Sequence, residues 1–289
     1  LAAPVAVVEL TALGRGFFPT LPDAELRRPG PLADRLASEL AGARYFMDPV
    51  VEAWPPLDRD DPSPDYQAFK ESVWLGFRDK LTGVSGAAAE LRAAGGAFEP
   101  LAPASAQDVM EALRKARGDA RARLMAWAGV RMWLARPGTK EDGLAAAGEA
   151  LWSLHRNPLE SPPARWLDQE EGRGLDVPFD EAPPPRGEGV ALRHPRADVV
   201  EAELGGEEKD GILFLAEPWY PGWRAFVDGR RTPLRRVLGT FCAVDVPAGG
   251  RRVRLEYDPG SWRLGALLTL LSLAALAAAA LARLDAQVL

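Results

Sequence analysis

Nineteen consecutive residues without a charge, LGALLTLLSLAALAAAALA, lie between Arg263 and Arg283. As a helix they would be about 28 Å long, close to the hydrocarbon thickness of a bilayer. Eight of the nineteen are Leu. Each contributes roughly −0.3 to −0.6 kcal/mol at the centre of an inserting helix, about −2 to −5 kcal/mol together. Residues 263–284 are therefore expected to form a transmembrane helix, with Trp262 as an interfacial anchor and residues 285–289 as a short tail. Gly265, Thr269, Ser272, Ala275 and Ala279 recur at helical spacing, a small-residue face that another membrane helix can approach closely. Arg251, Arg252, Arg254 and Arg263 precede the helix and Arg283 follows it. A bare charge count places the preceding domain in the cytoplasm, but long folded domains translocate largely regardless of charge.

The other end is shorter and apolar. Residues 1–13 (LAAPVAVVELTAL) carry only Glu9 and Thr11 as polar interruptions. Thirteen residues are too few to span a bilayer, and no basic stretch marks a signal peptide. They read as the end of a truncated transmembrane helix, or else as a buried strand or short helix. An intramembrane Glu9 would be a functional candidate.

Between these ends the chain reads as two regions. Residues 14–185 are expected to be a mixed, irregular α/β region. A capping-box pattern at Ser105 and Asp108 precedes a helix through Val109, Met110 and Leu113. A second helix starts near Asp119 and gives way at Gly129 to a strand in which Val130, Met132 and Leu134 alternate. A further strand is expected at residues 151–154. Residues 58–64 are a solvated turn, and residues 170–188 (EEGRGLDVPFDEAPPPRGE) a loop or linker by composition.

Residues 186–262 are expected to be a small antiparallel β-sandwich. Val200, Ala202 and Leu204 share one face of a strand, with Glu201 and Glu203 on the other. Residues 211–217 are a continuous apolar run, as in a central strand. Residues 223–227 lead into Asp228-Gly229, a dipeptide suited to a type I′ hairpin. Residues 241–246 close on Pro247-Ala248-Gly249-Gly250, and Val253, Leu255 and Tyr257 alternate along the last strand. The fold class is thus α+β: an irregular α/β region, a small antiparallel β-sandwich and one C-terminal transmembrane helix.

Composition narrows the chemistry. A 47% hydrophobic content excludes wholesale disorder, and a net charge of −6 argues against nucleic acid. A single cysteine, Cys242, excludes an internal disulfide and a cysteine-based zinc site. His155 and His194 lie in loop-like contexts, with a solvated or hydrogen-bonding role. Neither common phosphate-loop spacing occurs, and Gly83-Val84-Ser85-Gly86 is not a nucleophile elbow. Glu170-Glu171 and Glu207-Glu208 read as solvated faces. No catalytic residue, metal ligand or cofactor is assigned. The conspicuous chemistry is Trp219, Tyr220 and Trp223, three large aromatics within five residues. They can stack on sugar rings, cap the sandwich or touch lipid headgroups.

The run Glu217-Pro218-Trp219-Tyr220-Pro221-Gly222-Trp223-Arg224-Ala225-Phe226-Val227-Asp228-Gly229-Arg230 resembles the "yyPGW.a.vDG" signature of the YfhO-like bacterial membrane proteins. Residues 241–246 with Pro247-Ala248-Gly249 resemble the family's "fraV.vpaG", and residues 253–259, with Tyr257 and Pro259, its "V.f.Y.P". Pro221, Gly222, Asp228, Gly229, Pro247, Gly249, Tyr257 and Pro259 are the structural positions of that motif. Upstream, Phe17-Phe18-Pro19-Thr20 resembles the segment after an earlier membrane helix. Gly129-Val130-Arg131 resembles "GVRY" with Met132 in place of tyrosine, and residues 156–166 resemble "yrNp..lPRa" with the last three residues rearranged.

The resemblance implies a polytopic protein with a GT-C-type bundle, located in the bacterial inner membrane with the bulk of this chain, the α/β region 14–185 and the sandwich 186–262, extracytoplasmic and residues 285–289 as a cytoplasmic tail. It implies sugar transfer from a polyprenyl-phosphate donor to a cell-envelope acceptor. The partners so implied are the lipid bilayer, the N-terminal transmembrane bundle of the same protein, and the polyprenyl-phosphate sugar or an envelope glycan. The family's catalytic acid sits in an early loop of that bundle, so none is carried over and this portion alone is expected to be inactive. The alternatives are a non-enzymatic membrane-anchored envelope module binding glycan or protein, and an interaction domain of a membrane complex.

Overall fold

The computed structural model describes residues 28–40, 42–47, 91–94, 104–149, 152–206 and 209–288. Expectations for residues 1–27, for the turn at 58–64, for Gly83-Val84-Ser85-Gly86 and for Glu207-Glu208 lie outside the described residues. The elements are α1 (Pro31–Leu40), β1 (Arg44–Met47), β2 (Arg92–Ala93), α2 (Ala104–Lys115), α3 (Gly118–Trp127), β3 (Val130–Ala135), β4 (Ala145–Glu149), β5 (Ser153–Arg156), β6 (Ala164–Asp168) and α4 (Gln169–Arg173). They continue as β7 (Glu188–Val190), β8 (Leu192–Arg196), β9 (Val199–Glu203), β10 (Gly211–Pro218), β11 (Trp223–Val227), β12 (Arg230–Thr232), β13 (Leu234–Val237), β14 (Phe241–Val246), β15 (Arg252–Tyr257) and α5 (Gly260–Val288).

Three five-stranded sheets organise these elements, and the α+β class with a sandwich and an apolar C-terminal helix stands. The first sheet has the order β2-β1-β3-β5-β4, with β2, β1 and β3 parallel and the other pairs antiparallel. Its β3 is buried on both faces. Met132 and Leu134 pack with Leu36 and Leu40 of α1, while Trp133 and Ala135 face a second core with α2 and α3. Simple alternation suggested one buried face; the helices on both sides bury the other as well.

The sandwich pairs a sheet of order β13-β14-β10-β6-β7 with one of order β12-β11-β15-β9-β8, all antiparallel. Leu213, Leu215, Cys242 and Val244 of the first meet Val200, Ala202, Val253 and Leu255 of the second. The opposite face of the first sheet, through Ile212, Phe214, Phe241 and Ala243, packs on Val109, Leu113, Leu124 and Trp127. β10 is central, as its apolar run predicts, because both its faces meet apolar layers. β6, from before residue 186, lies between β10 and β7, so the sandwich draws one strand from the upstream region.

Three local readings are corrected. Residues 170–188 are a packed segment, not a linker. Asp168 caps α4, accepting from Glu171 N at 2.8 Å while the Glu171 carboxylate accepts from Asp168 N at 3.2 Å, a capping box. Leu175, Phe179 and Ala182 are buried in the core, and Trp127 Nε1 donates to the Pro183 carbonyl at 2.7 Å. Both histidines lie in strands, His155 in β5 and His194 in β8. Glu201 points to the outer face of its sheet as expected but is buried there, covered by Arg252 and Arg254 at 3.1 and 2.8 Å.

α5 leaves the sandwich directly after β15. The stretch Gly260–Ala277 is long and apolar enough to cross a membrane, and none of it is buried against the rest of the chain. Leu270 is 65% exposed and Leu276 68%. An apolar surface of that size on a single helix needs an apolar surround.

Candidate functional site

The signature run opens at the end of β10, ends in β12, and folds its Pro221-Gly222 turn against the root of α5. Gly222 holds φ +115°, a conformation L side chains rarely adopt. A Cβ there would lie 3.0 Å from Pro259 Cα and 3.1 Å from the Tyr257 ring. Gly222 O accepts from Asp258 N at 2.9 Å, so the run is pinned to the residues that launch the helix. Trp223 and Tyr257 face each other across β11 and β15, with ring centroids 5.3 Å apart. Tyr220 approaches the same Tyr257 ring at 6.2 Å and is 45% exposed. Asp258 takes Arg224 Nη1 at 2.7 Å and Arg263 Nε at 3.1 Å, tying β11 to the first turn of α5. The exposed Trp262 lies in that turn.

Trp219 departs from this group. It packs against the sandwich core beneath the Arg236 guanidinium, 5.7 Å from its ring centroid. Tyr220 and Trp223 are thus brought together at Tyr257, and Trp219 is held apart from them. Gly222→Ala is expected to cost about 1–3 kcal/mol from backbone strain alone. The contact with Pro259 backbone adds to this, and the melting temperature of the chain in detergent measures the sum.

The remaining motif residues build turns. Val227 pairs with Arg230 across Asp228 (φ +47°) and Gly229 (φ +78°), the left-handed pair a type I′ hairpin requires. The Asp228 carboxylate also accepts from the backbone N–H groups of Arg251 and Arg252, at 3.2 and 2.9 Å. It thereby clamps the hairpin to the start of β15. Pro247 O accepts from Gly250 N at 3.0 Å, with Gly249 at φ +78° between them.

At the head of the motif, the structure assembles a polar cluster. Glu217 is buried, and its Oε1 takes Arg44 Nη2 at 3.0 Å, Arg92 Nη2 at 2.6 Å and His194 Nε2 at 3.2 Å. Arg44 Nη1 also donates to the Ala128 carbonyl at 3.2 Å. Gly129, at φ +66°, leaves room for this guanidinium: a Cβ would lie 3.3 Å from Arg44 Nη1. Burial alone would push the Glu217 carboxyl up. The Arg44 charge, the His194 hydrogen bond and Arg92 outweigh it and hold the group well below the usual carboxylate range. A cavity of about 280 Å³ opens beside the cluster, lined by Arg44, Arg92, Glu217 and Thr240 among apolar residues.

Two of these groups were visible in the sequence. Glu217 is the charge that ends the apolar run of β10, and His194 was noted without a partner. Arg44 and Arg92 were not singled out. Arg44, beside the apolar Tyr45-Phe46-Met47, was the available signal; Arg92 offered none.

Residues 188–269 match the family model of the bacterial membrane protein YfhO. This C-terminal portion is YfhO-like. The match begins with β7, takes in every strand through β15 and ends within α5, less than a third of the 289 residues. It contains His194 and Glu217, while Arg44 and Arg92 lie outside it. No curated protein and no solved structure matches the chain. Upstream, Asn157 and Arg165 of the segment resembling the family's pattern are buried. Asn157 Nδ2 donates to the Ala122 carbonyl and to Ser161 Oγ, each at 3.0 Å, and Arg165 lies over Trp127.

Proposed function

We propose that this chain is the extracytoplasmic end of a polytopic inner-membrane glycosyltransferase. It covers the membrane-embedded site and shapes the binding of the envelope acceptor. The polyprenyl-phosphate sugar donor and the catalytic acid belong to the membrane bundle in this reading, and this portion alone does not transfer sugar. The observation that carries it is the joint between sandwich and helix. The YfhO signature places an exposed Tyr220 beside Tyr257 and Trp223 at the residue step where α5 begins. Rings fixed there stand at the membrane surface, where a lipid-linked sugar and its acceptor meet. Aromatic faces present a broad apolar surface with a polar edge, which suits sugar rings.

The test replaces Tyr220 and Trp223 together with Ala in the complete protein in cells, leaving Trp219, which packs against the sandwich core, in place. Sugar transfer to the envelope is expected to fall at least tenfold while the protein accumulates in the membrane at normal levels. Unchanged transfer by a normally folded double variant rejects the role assigned to these rings.

A further inference from the structure

The cavity beside Glu217 has features that the joint does not use. Among the described residues its two guanidinium groups face one carboxylate, so the cluster they form keeps an excess positive charge even with His194 neutral. Arg92 is only part-buried, giving the charge a path to solvent. Thr240 lines the same cavity, and its hydroxyl is buried without a hydrogen-bond partner among the described residues. A buried hydroxyl left unpaired costs free energy, and a bound group that accepts from it removes that cost. The rest of the wall is apolar, including Ala93, Ala106, Ala216 and Phe241, which strengthens any charge contact made inside.

We propose that this cavity binds a phosphate-class oxyanion, free or as a lipid headgroup, between Arg44, Arg92 and Thr240. Guanidinium forks match the paired oxygens of a phosphate, and each guanidinium carries five donors. Arg44 gives donors to Glu217 and Ala128, and Arg92 gives one to Glu217. Glu217 fixes both forks and limits the net charge, so the cluster is positioned before the anion arrives. The location allows either source. Gly222 lies five residue steps along the chain from Glu217, a reach of at most about 18 Å, and touches the residues that launch α5. The inference stands apart from sugar transfer and survives if that reading fails.

The test uses the full chain in phosphatidylcholine nanodiscs. Inorganic phosphate is titrated at constant ionic strength, and a parallel set of discs contains phosphatidic acid. Ligand that binds the folded chain raises its melting temperature by mass action. A rise with inorganic phosphate identifies a soluble anion; a rise only with phosphatidic acid identifies a headgroup. In either case Arg92→Ala is expected to weaken the effect at least tenfold, and Arg92→Lys to retain part of it. Thr240→Val, which keeps the side-chain shape, is expected to weaken it severalfold and serves if Arg92→Ala does not fold. No rise with either ligand, or a rise that Arg92→Ala and Thr240→Val leave unchanged, overturns the proposal.

Discussion

Glu217→Ala is expected to destabilise the folded chain by about 3–5 kcal/mol, because it strands the buried Arg44 guanidinium without its counter-charge. Arg44 and Glu217 are both buried, and Arg44 reaches the cluster from 173 residues away in sequence. The loss therefore loosens the contact between the first sheet and β10. Arg92 is more exposed, so Arg92→Ala is expected to cost less. The pH dependence follows from the depressed carboxyl. In the unfolded chain a glutamate titrates near 4.3. In the folded chain the guanidinium groups and His194 hold Glu217 well below the usual range. The unfolded state then binds the proton more readily. The stabilisation is complete at neutral pH, starts to fall as the pH drops through about 4.3, and is lost below the folded value. Urea unfolding of the detergent-solubilised chain at pH 7 and pH 3.5 measures this. The wild type should lose more stability between the two than Glu217→Ala. Equal losses would mean that Glu217 is not held ionised by the cluster.

The second large effect lies in α5. Replacing Leu270 and Leu271 with Arg is expected to abolish membrane insertion. Each Arg at the helix centre costs roughly 2.5–3.5 kcal/mol, about 5–7 kcal/mol for the pair. The eight leucines together supply only about −2 to −5 kcal/mol, and the substitution also removes two of them. The balance changes sign. Carbonate extraction of membranes should leave the wild-type chain in the pellet and release the double variant. A double variant that stays in the pellet would show that other contacts hold the chain. The free surface of α5 makes this a clean test, since no part of Gly260–Ala277 is buried against the sandwich.

What the sequence disclosed and what it withheld divide along chain distance. β15 falls where its alternation places it, β14 ends at the Pro247–Gly250 turn as expected, and β11 turns at Asp228-Gly229 as that dipeptide requires. These features are encoded within a few residues. The insertion of β6 beside β10 is not, since β6 lies upstream of residue 186 and nothing within its own five residues selects β10 as its partner. The Glu217 cluster is further out of reach, because its arginines come from β1 and β2. Residues 170–188 misled through composition. Proline and glycine shape the backbone there, but Leu175 and Phe179 decide that it packs. The aromatic cluster was legible as a set of residues, yet its division into Tyr220 with Trp223 on one side and Trp219 on the other depends on how β11 and β15 pair.

Orientation in the membrane decides whether the sandwich can meet an envelope acceptor at all. Two single-cysteine chains measure it, each made in a Cys242→Ser background: Arg230→Cys, on the exposed hairpin between β11 and β12, and Gln287→Cys, beyond the apolar run. A membrane-impermeant maleimide is added to intact spheroplasts. The account predicts labelling of Arg230→Cys from outside, and of Gln287→Cys only after permeabilisation. The reverse pattern would place the sandwich in the cytoplasm and contradict the account.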